Sequence, residues 1–441
     1  MQPLLWGTAL LLLGALTYRA PALHEAHAHQ PPQPFAGVLD EHPAIQYATR
    51  QPRDRVAQLN RAVRQGSVTL TYREPGGYLQ AVLEALAISR ESQLLVFSKT
   101  GIQRASTSPD NPRALFFDDS VVIGYIPGAR LIEIAAHDPE QGVVFYTVDQ
   151  MVTRPDGSQR DAVFERRTSC LTCHVSGSTL DVPGMITRSN FASANGDVIP
   201  QLGFHIVDHR TPLSQRWGGW FVTGNYVAPP YGGVGHMGNV STTRHPTRGD
   251  VASMSNELLT RWMDSAITER GYVSHESDIA ALMVFDHQMR AVNLLTRLNW
   301  EARVAASDGT IDFTSGALQM LAHDVADYFL FVDEVSPPAR LTPRAGFAAA
   351  FTAAGPRDSH GRSLRELDLE QRLLRYPCSY MIYSAAFDQL PHQAKAAVYQ
   401  RIAAILSARD DETRYWHLSA DDRRAIIEIL RQTKPDWPGS P

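Results

Sequence analysis

Residues 170–174 form the pattern C-x-x-C-H, which constrains this chain more than any other feature of its sequence. Cys170 and Cys173 are two of only three cysteines, and His174 follows the second one directly. This spacing is typical of covalent c-type haem attachment. The two thiols can form thioethers with the two vinyl groups of one porphyrin, and the adjacent imidazole can bind the iron as proximal ligand. The sequence therefore predicts one covalently bound haem c, held by Cys170, Cys173 and His174.

Two other kinds of site can contain a C-x-x-C pair. A structural zinc ion takes four protein ligands, and only Cys378 and scattered histidines remain here to complete such a set. A thioredoxin-like redox pair lies where a strand leads into a helix, whereas residues 175–179 read VSGST, a poor helix start. Both alternatives remain open, and the histidine that follows the pair favours haem.

The amino-terminal segment indicates export. Residues 4–16 are almost wholly apolar, which is about the length of a signal-peptide core and short for a membrane span. Cleavage points of the A-x-A kind follow at residues 20–22 and 26–28. Because no Lys or Arg precedes the apolar run and Arg19 follows it, an uncleaved anchor remains an alternative. We expect residues 1–22 to be a signal peptide or a membrane tether, and the protein to be periplasmic or at the outer face of the cytoplasmic membrane.

Length, charge and cysteine count narrow the class of protein. A chain of 441 residues is long enough for two or three domains. The net charge of −5 is mild and both signs are interspersed, so we expect no nucleic-acid partner. If haem takes two cysteines, Cys378 has no cysteine to pair with, and an exported chain of this kind cannot rely on disulfides.

The spacing of apolar residues changes along the chain. Residues 23–52 are rich in Pro, His and Gln and are predicted to be a linker. Short β-prone runs separated by turn residues predict a small antiparallel sheet, with strands at 94–97, 114–117, 121–125, 131–134 and 143–148. Helical spacing predicts helices at 53–64, 78–88, 279–295, 318–332, 394–406 and 421–430.

These patterns predict an α+β fold. We expect an antiparallel β-rich amino-terminal half, the haem motif at the junction, and a largely helical carboxy-terminal half. The predicted regions are an α+β domain over 53–168, a haem-binding segment rich in Gly and aromatic residues over 169–250, and a helical domain over 251–441.

The motif and the exported context resemble those of c-type cytochromes. Residues 216–220 (RWGGW) and 376–380 (YPCSY) are similar to segments of bacterial cytochrome c domain-containing proteins with a single C-x-x-C-H motif. The resemblance implies covalent haem binding and, for a carrier, a redox partner protein. The absence of a second C-x-x-C-H counts against di-haem peroxidases and multihaem electron conduits.

The second axial ligand of the iron decides between two functions. A sixth ligand, usually Met or His, suits electron transfer, whereas an open position allows substrate binding. Met185 lies eleven residues after His174, and His236 lies in a glycine-rich stretch whose backbone could approach a porphyrin closely. Each could instead be an ordinary structural residue. The further candidates are Met237, His205, His287 and Met381.

Other side chains could surround a porphyrin. Guanidinium groups suit the propionate carboxylates, and the candidates are Arg188, Arg216 and Arg244. Trp217 and Trp220 could pack on the ring, although tryptophans beside glycines are as often ordinary core. Lys99, Arg104 and residues 110–113 form a polar cluster amid the β-prone runs, for which a solvated loop is the simpler interpretation.

Two functional hypotheses follow. The first is an exported mono-haem c-type cytochrome that transfers single electrons. The second is a c-type haem enzyme, peroxidase-like or oxygenase-like, with an open coordination position; the length of the chain favours it, because electron transfer alone needs no such scaffold. A haem-based gas sensor is a third option to which nothing in the sequence points specifically.

Overall fold

An antiparallel sheet of six strands forms the centre of the amino-terminal half. The computed structural model describes residues 39–150, 162–224, 240–241, 265, 268–344, 346–408 and 413–438. The strands lie side by side in chain order, as β1 Leu94–Val96, β2 Arg113–Phe117, β3 Val121–Tyr125, β4 Leu131–Asp138, β5 Gly142–Asp149 and β6 Phe164–Arg166. Short connections join most neighbours, as antiparallel pairing allows. The five strands predicted from β-prone runs are all confirmed, and β6 is an addition.

Both faces of this sheet are buried, because other layers pack on each side of it. Alternate residues along each strand face opposite layers. On one face Val96, Leu115, Val122 and Phe145 belong to the core shared with the carboxy-terminal helices. On the other face the strands pack on the amino-terminal helices, with Leu95, Phe116, Ile123, Ile134, Val144 and Tyr146 in that core. The sheet is therefore the middle layer of three.

Two helices form the amino-terminal layer, α1 Arg55–Arg64 and α2 Leu79–Ala85. Asp54 caps α1 by accepting hydrogen bonds from the amides of Val56 and Ala57, the usual role of an aspartate at this position. Its second carboxylate oxygen accepts from the Tyr146 hydroxyl on β5 at 2.5 Å. The cap therefore also fixes α1 against the sheet.

The carboxy-terminal half is helical, as predicted. Within the described residues its helices are α4 Ile279–Ser307, α5 Gly316–Phe329, α6 Phe347–Ala353, α7 Ala385–Asp388, α8 His392–Leu406 and α9 Ala420–Thr433. α4 is buried around its circumference, because β5 contacts it on one side and α5, α6, α7 and α8 surround it elsewhere. A helix that is buried all round carries apolar residues on every face. α4 is thus the central element that joins the helices to the sheet.

Between these halves lies an irregular segment that begins with the C-x-x-C-H motif. It contains α3 Leu171–His174 and the strands β7 Thr187–Asn190, β8 Ala192–Ser193, β9 Phe204–Val207 and β10 Val240–Ser241. β7 pairs with β9 and β8 with β10. Short 3-10 helices, such as Thr168–Cys170, Gly177–Thr179 and Leu213–Gln215, complete it. The predicted α+β class, with the motif at the junction, is confirmed. The described residues all belong to one compact unit, Pro34–Pro441, and the domain boundaries proposed within it stay predictions.

Candidate functional site

The C-x-x-C-H motif lies directly after the last strand of the sheet. From β6 the chain turns through the 3-10 helix Thr168–Cys170 into α3. The backbone at Cys170 is already helical, with φ −62° and ψ −27°, so residues 170–174 form one continuous turn. Positions three and four apart meet on one side of such a turn. Cys170, Cys173 and His174 accordingly line the same cavity, and both cysteines are free thiols.

The imidazole of His174 is held by one backbone carbonyl. Its Nδ1 lies 2.8 Å from the oxygen of Gly184, and the amide of Gly184 donates back to the carbonyl of His174 at 3.0 Å. Because a carbonyl oxygen only accepts hydrogen bonds, Nδ1 must carry the proton. The lone pair of a neutral imidazole is then on Nε2, which is the tautomer of a histidine that binds a metal.

Burial favours the neutral forms of His174 and Cys170. Burial lowers the pKa of His174, and the nearby positive charges of Arg113 and Arg188 lower it further, against the opposing effects of the Gly184 carbonyl and Glu133. Burial likewise raises the pKa of the Cys170 thiol, with the charge of Glu133 as the next cause. At neutral pH His174 therefore presents an uncharged nitrogen.

The cavity has a volume of about 400 Å³ and a largely apolar lining. The sheet supplies one wall through Val96, Leu115, Val122, Gly124, Ala135 and Phe145. The ring of Phe145 lies 4.6 Å from that of His174, centroid to centroid. Met185, Trp220 and Phe285 line the cavity from outside the sheet. Apolar walls and a few placed polar groups are typical of cofactor sites.

Positive charge predominates among the ionisable side chains of the lining. Lys99, Arg104, Arg113 and Arg188 lie there with one carboxylate, Glu133. Glu133 is 3.6 Å from Arg113, and Lys99 is paired with Asp197, outside the lining, at 2.9 Å. The guanidinium of Arg188 stacks over a phenylalanine ring at 4.2 Å, and its Nε has no hydrogen-bond partner. Within the described ranges no carboxylate forms an ion pair with Arg188. The site is thus suited to anionic groups.

Met185 is the one predicted distal-ligand candidate in the described residues that lines this cavity. It directly follows Gly184, whose carbonyl holds the Nδ1 side of His174. Its backbone therefore lies on the side of the imidazole away from Nε2. His236 and Met237 lie outside the described residues. Both His236 and Met185 stay predictions as distal ligands.

The other candidate ligands lie away from the cavity. On β7, Arg188 and Asn190 line it, so Ser189 and its register partner His205 face the opposite side of the two-stranded ribbon. Met381 is fully buried in the helical core. His287 is also fully buried and takes part in a different cluster.

That second cluster is formed by two histidines in the helical core. The Nδ1 atoms of His209 and His287 are 2.8 Å apart, and Nε2 of His287 is 2.7 Å from the Ser379 hydroxyl. Both rings pack against Tyr328. Burial lowers the pKa of His287 to about 3, and it also lowers the pKa of His209, with His287 as the next cause. Both histidines are neutral at physiological pH.

The arginines and tryptophans divide between site and core. Arg188 and Trp220 line the cavity. Arg216 and Trp217 are buried beside Asp286, which Arg216 approaches to 3.7 Å and to which the Trp217 indole donates at 2.8 Å. Arg244 lies outside the described residues. The polar cluster interpreted as a solvated loop does contribute to the site, because Lys99, Arg104 and Arg113 all line the cavity.

Several residues of the site were not found from the sequence, and Glu133 and Asn293 are the two with polar roles beside His174. Glu133 on β4 lines the cavity, and within the predicted strand of residues 131–134 it carried no signal of a site. Asn293 on α4 holds the loop behind His174, with its Oδ1 accepting from the Met185 amide at 3.0 Å and its Nδ2 donating to the Met185 carbonyl at 2.7 Å. The only sequence signal for Asn293 is a polar residue on an otherwise apolar stretch of helix.

Within the described ranges no helix is both long and apolar enough to cross a membrane. In the same part of the chain no three His, Cys, Asp or Glu side chains form a cluster that could hold a metal ion. The chain matches no protein-family model, no curated protein and no solved structure.

Proposed function

We propose that this protein is an exported mono-haem c-type cytochrome that transfers single electrons. Cys170 and Cys173 would form the two thioethers, and His174 would be the proximal iron ligand. The observation that carries the proposal is the hydrogen bonding of His174. Its Nδ1 donates to the Gly184 carbonyl, which leaves the lone pair of Nε2 to bind a metal. Cys170 and Cys173, both free thiols, line the same cavity.

The surroundings of the motif support one haem at this place. A cavity of about 400 Å³ falls within the roughly 300–1,000 Å³ usual for small-molecule and cofactor sites. Its apolar sheet wall suits a porphyrin face. Arg188, which has no carboxylate partner within the described ranges, and Arg104 could neutralise two propionates. When bound, the haem would supply a one-electron ferric–ferrous couple.

His174 and the sheet would control that couple. The hydrogen bond to Gly184 fixes the orientation of the imidazole and increases its basicity. Phe145, Trp220 and Phe285 supply apolar wall that would reduce the contact of a bound haem with water. We expect the protein to act in the periplasm, or tethered at the outer face of the cytoplasmic membrane, with a redox partner protein and no nucleic acid.

One observation favours the alternative, a c-type haem enzyme with an open iron. His174 is the only histidine lining the cavity among the described residues. The backbone of Met185 lies on the Nδ1 side of that histidine, away from the Nε2 that would bind the iron, which disfavours Met185 as a sixth ligand. A sixth ligand would then come from His236 or Met237, or from no residue at all.

Absorption spectra separate these functions. The full chain is expressed in a haem-maturing bacterial host, and spectra are recorded for the ferric, ferrous and ferrous-plus-CO states. A low-spin spectrum that is indifferent to CO supports the electron carrier. A high-spin ferric form that binds CO after reduction supports the enzyme. A His236→Ala variant then tests the sixth ligand, because loss of the low-spin spectrum identifies His236 and an unchanged one excludes it.

A further inference from the structure

We propose that Asn293 is a positioning residue that tunes the proximal histidine through a single peptide group. The inference rests on the proposed function and deepens it. It concerns a residue 108 positions after Met185 in the chain, on the central helix of the other half of the fold.

The contact between Asn293 and the loop uses both ends of its side-chain amide. Oδ1 accepts from the Met185 amide at 3.0 Å, and Nδ2 donates to the Met185 carbonyl at 2.7 Å. Asn293 is 1 % exposed, so water does not compete for these bonds. The side-chain amide of asparagine suits this pair, because it holds an acceptor and a donor on one planar group.

One peptide group connects Asn293 to His174. The peptide between Gly184 and Met185 carries the carbonyl oxygen of Gly184 and the amide hydrogen of Met185. His174 Nδ1 donates to that oxygen at 2.8 Å, and Asn293 Oδ1 accepts that hydrogen. Hydrogen bonds in such a chain polarise one another. Asn293 therefore makes the Gly184 oxygen a stronger acceptor, which increases the electron donation of His174 through Nε2.

Further contacts hold Pro183 and Gly184 in place, and with them the hydrogen bonds that connect Asn293 to His174. The carbonyl of Pro183 accepts from the amide of Val143 on β5 at 3.2 Å. A Cβ atom on Gly184 would lie 2.2 Å from Asn293 Oδ1, which shows how closely the helix approaches this peptide. The sheet thus holds the peptide before Gly184 and α4 holds the peptide after it, and only a glycine fits between them without a shift of the loop or the helix.

The test compares the reduction potentials of haem-loaded full-length variants. In Asn293→Ala the Gly184 oxygen becomes a weaker acceptor, so His174 donates less and stabilises the ferric iron less. We expect the ratio of reduced to oxidised haem at a fixed ambient potential to rise about threefold, or roughly 30 mV at 59 mV per tenfold for one electron. The Nδ1–H resonance of His174 should shift in the same variant. Asn299→Ala is the matched control, since Asn299 is a buried asparagine of the same helix whose Nδ2 donates to the Pro139 carbonyl.

The outcomes separate this inference from the proposed function. A wild-type chain without covalent haem ends the proposed function and this inference with it. Haem-loaded Asn293→Ala with the wild-type potential, or with the same shift as Asn299→Ala, overturns the inference alone. If Asn293→Ala does not fold, Asn293→Asp keeps the acceptor oxygen. Its potential should be equal to or below the wild-type value, and a higher potential overturns the inference.

Discussion

At the scale of single residues, the site depends on how a backbone loop returns to the motif. Gly184 donates to the carbonyl of His174 and accepts from its imidazole. These two hydrogen bonds close residues 174–184 into a loop, and the end of the loop faces the imidazole ring of His174. A backbone acceptor has no protonation states and no rotamers. The orientation of His174 is therefore set by the fold of the loop, and the side chains around it only adjust the environment.

Gly184→Ala tests how tightly this loop is held. The new Cβ would lie 2.2 Å from Asn293 Oδ1 and 3.1 Å from Thr179 Cβ, so the loop or the helix must move. We expect the free energy of unfolding to fall by about 1–3 kcal/mol, as for other overpacked sites, with a lower haem yield. Gly177→Ala is the control in the same loop, because a Cβ there meets no atom within 4 Å. Equal unfolding free energies for the two variants in urea titrations would contradict this account.

At the scale of elements, α4 connects the loop behind His174, the cavity and the histidine cluster of the helical core. Its Asn293 holds the loop behind His174, its Phe285 lines the cavity, and its His287 bonds His209 and Ser379 in the helical core. These residues lie on different faces of one helix. A helix buried all round can serve the site and the core simultaneously, which an amphipathic surface helix cannot.

The His287 cluster predicts a specific loss of stability in mild acid. Burial lowers the pKa of folded His287 to about 3, whereas an unfolded histidine titrates near 6.5. Below that value the unfolded chain binds a proton that the folded chain does not, so stability falls as pH decreases. For this histidine the loss from pH 7 to pH 5 is about 2 kcal/mol.

Replacement of His287 measures how much this histidine contributes to the pH dependence of the free energy of unfolding. His287→Gln should be less stable than wild type at pH 7, because it loses stacking on Tyr328 and Phe331. Its further loss between pH 7 and pH 5 should be smaller than that of wild type by about 2 kcal/mol. Urea titrations of both proteins at the two pH values measure this difference. Identical pH dependence would show that His287 is not neutral in the folded state.

The sequence predicted elements better than it predicted their contacts. Strands such as β3 and β5 are runs of Val, Ile, Phe and Tyr between turn residues, and these preferences are local. The helix predicted over residues 279–295 continues to Ser307, because its later residues are buried against the sheet. α6 was not predicted, since its seven residues, FAAAFTA, are too few to show periodicity.

The residues of the site also differ in whether the sequence could identify them. Cys170, Cys173 and His174 could be named because the chemistry needs them within five consecutive residues. Asn293 could not be named, because it meets Met185 across 108 positions of the chain. Lys99 and Arg104 lie in the connection between β1 and β2, and Arg113 begins β2. They resembled a solvated loop because no local pattern in a connection indicates that it lines a cavity.

At the scale of the whole molecule, the proposed haem attachment would require export, because c-type haem is attached outside the cytoplasmic membrane. Leu12→Arg places a charge within the apolar run of residues 4–16, where it costs about 2.5–3.5 kcal/mol of insertion free energy. We expect this variant to remain in the cytoplasm without covalent haem. Gln2→Lys adds a positive charge before the run and should leave export intact. Fractionation with haem staining measures both, and covalent haem on cytoplasmic Leu12→Arg would contradict the proposed compartment.

The central claim is that Cys170 and Cys173 carry one haem covalently, and the intact mass of the denatured chain tests it most directly. The chain is purified from a haem-maturing host, and non-covalent haem is removed by acid extraction. We predict one haem per wild-type chain and per Cys378→Ala chain, because Cys378 is buried in the helical core. Cys173→Ser should retain at most a single thioether, at low yield. A wild-type chain with no added mass, or a Cys173→Ser chain loaded like wild type, would contradict the claim.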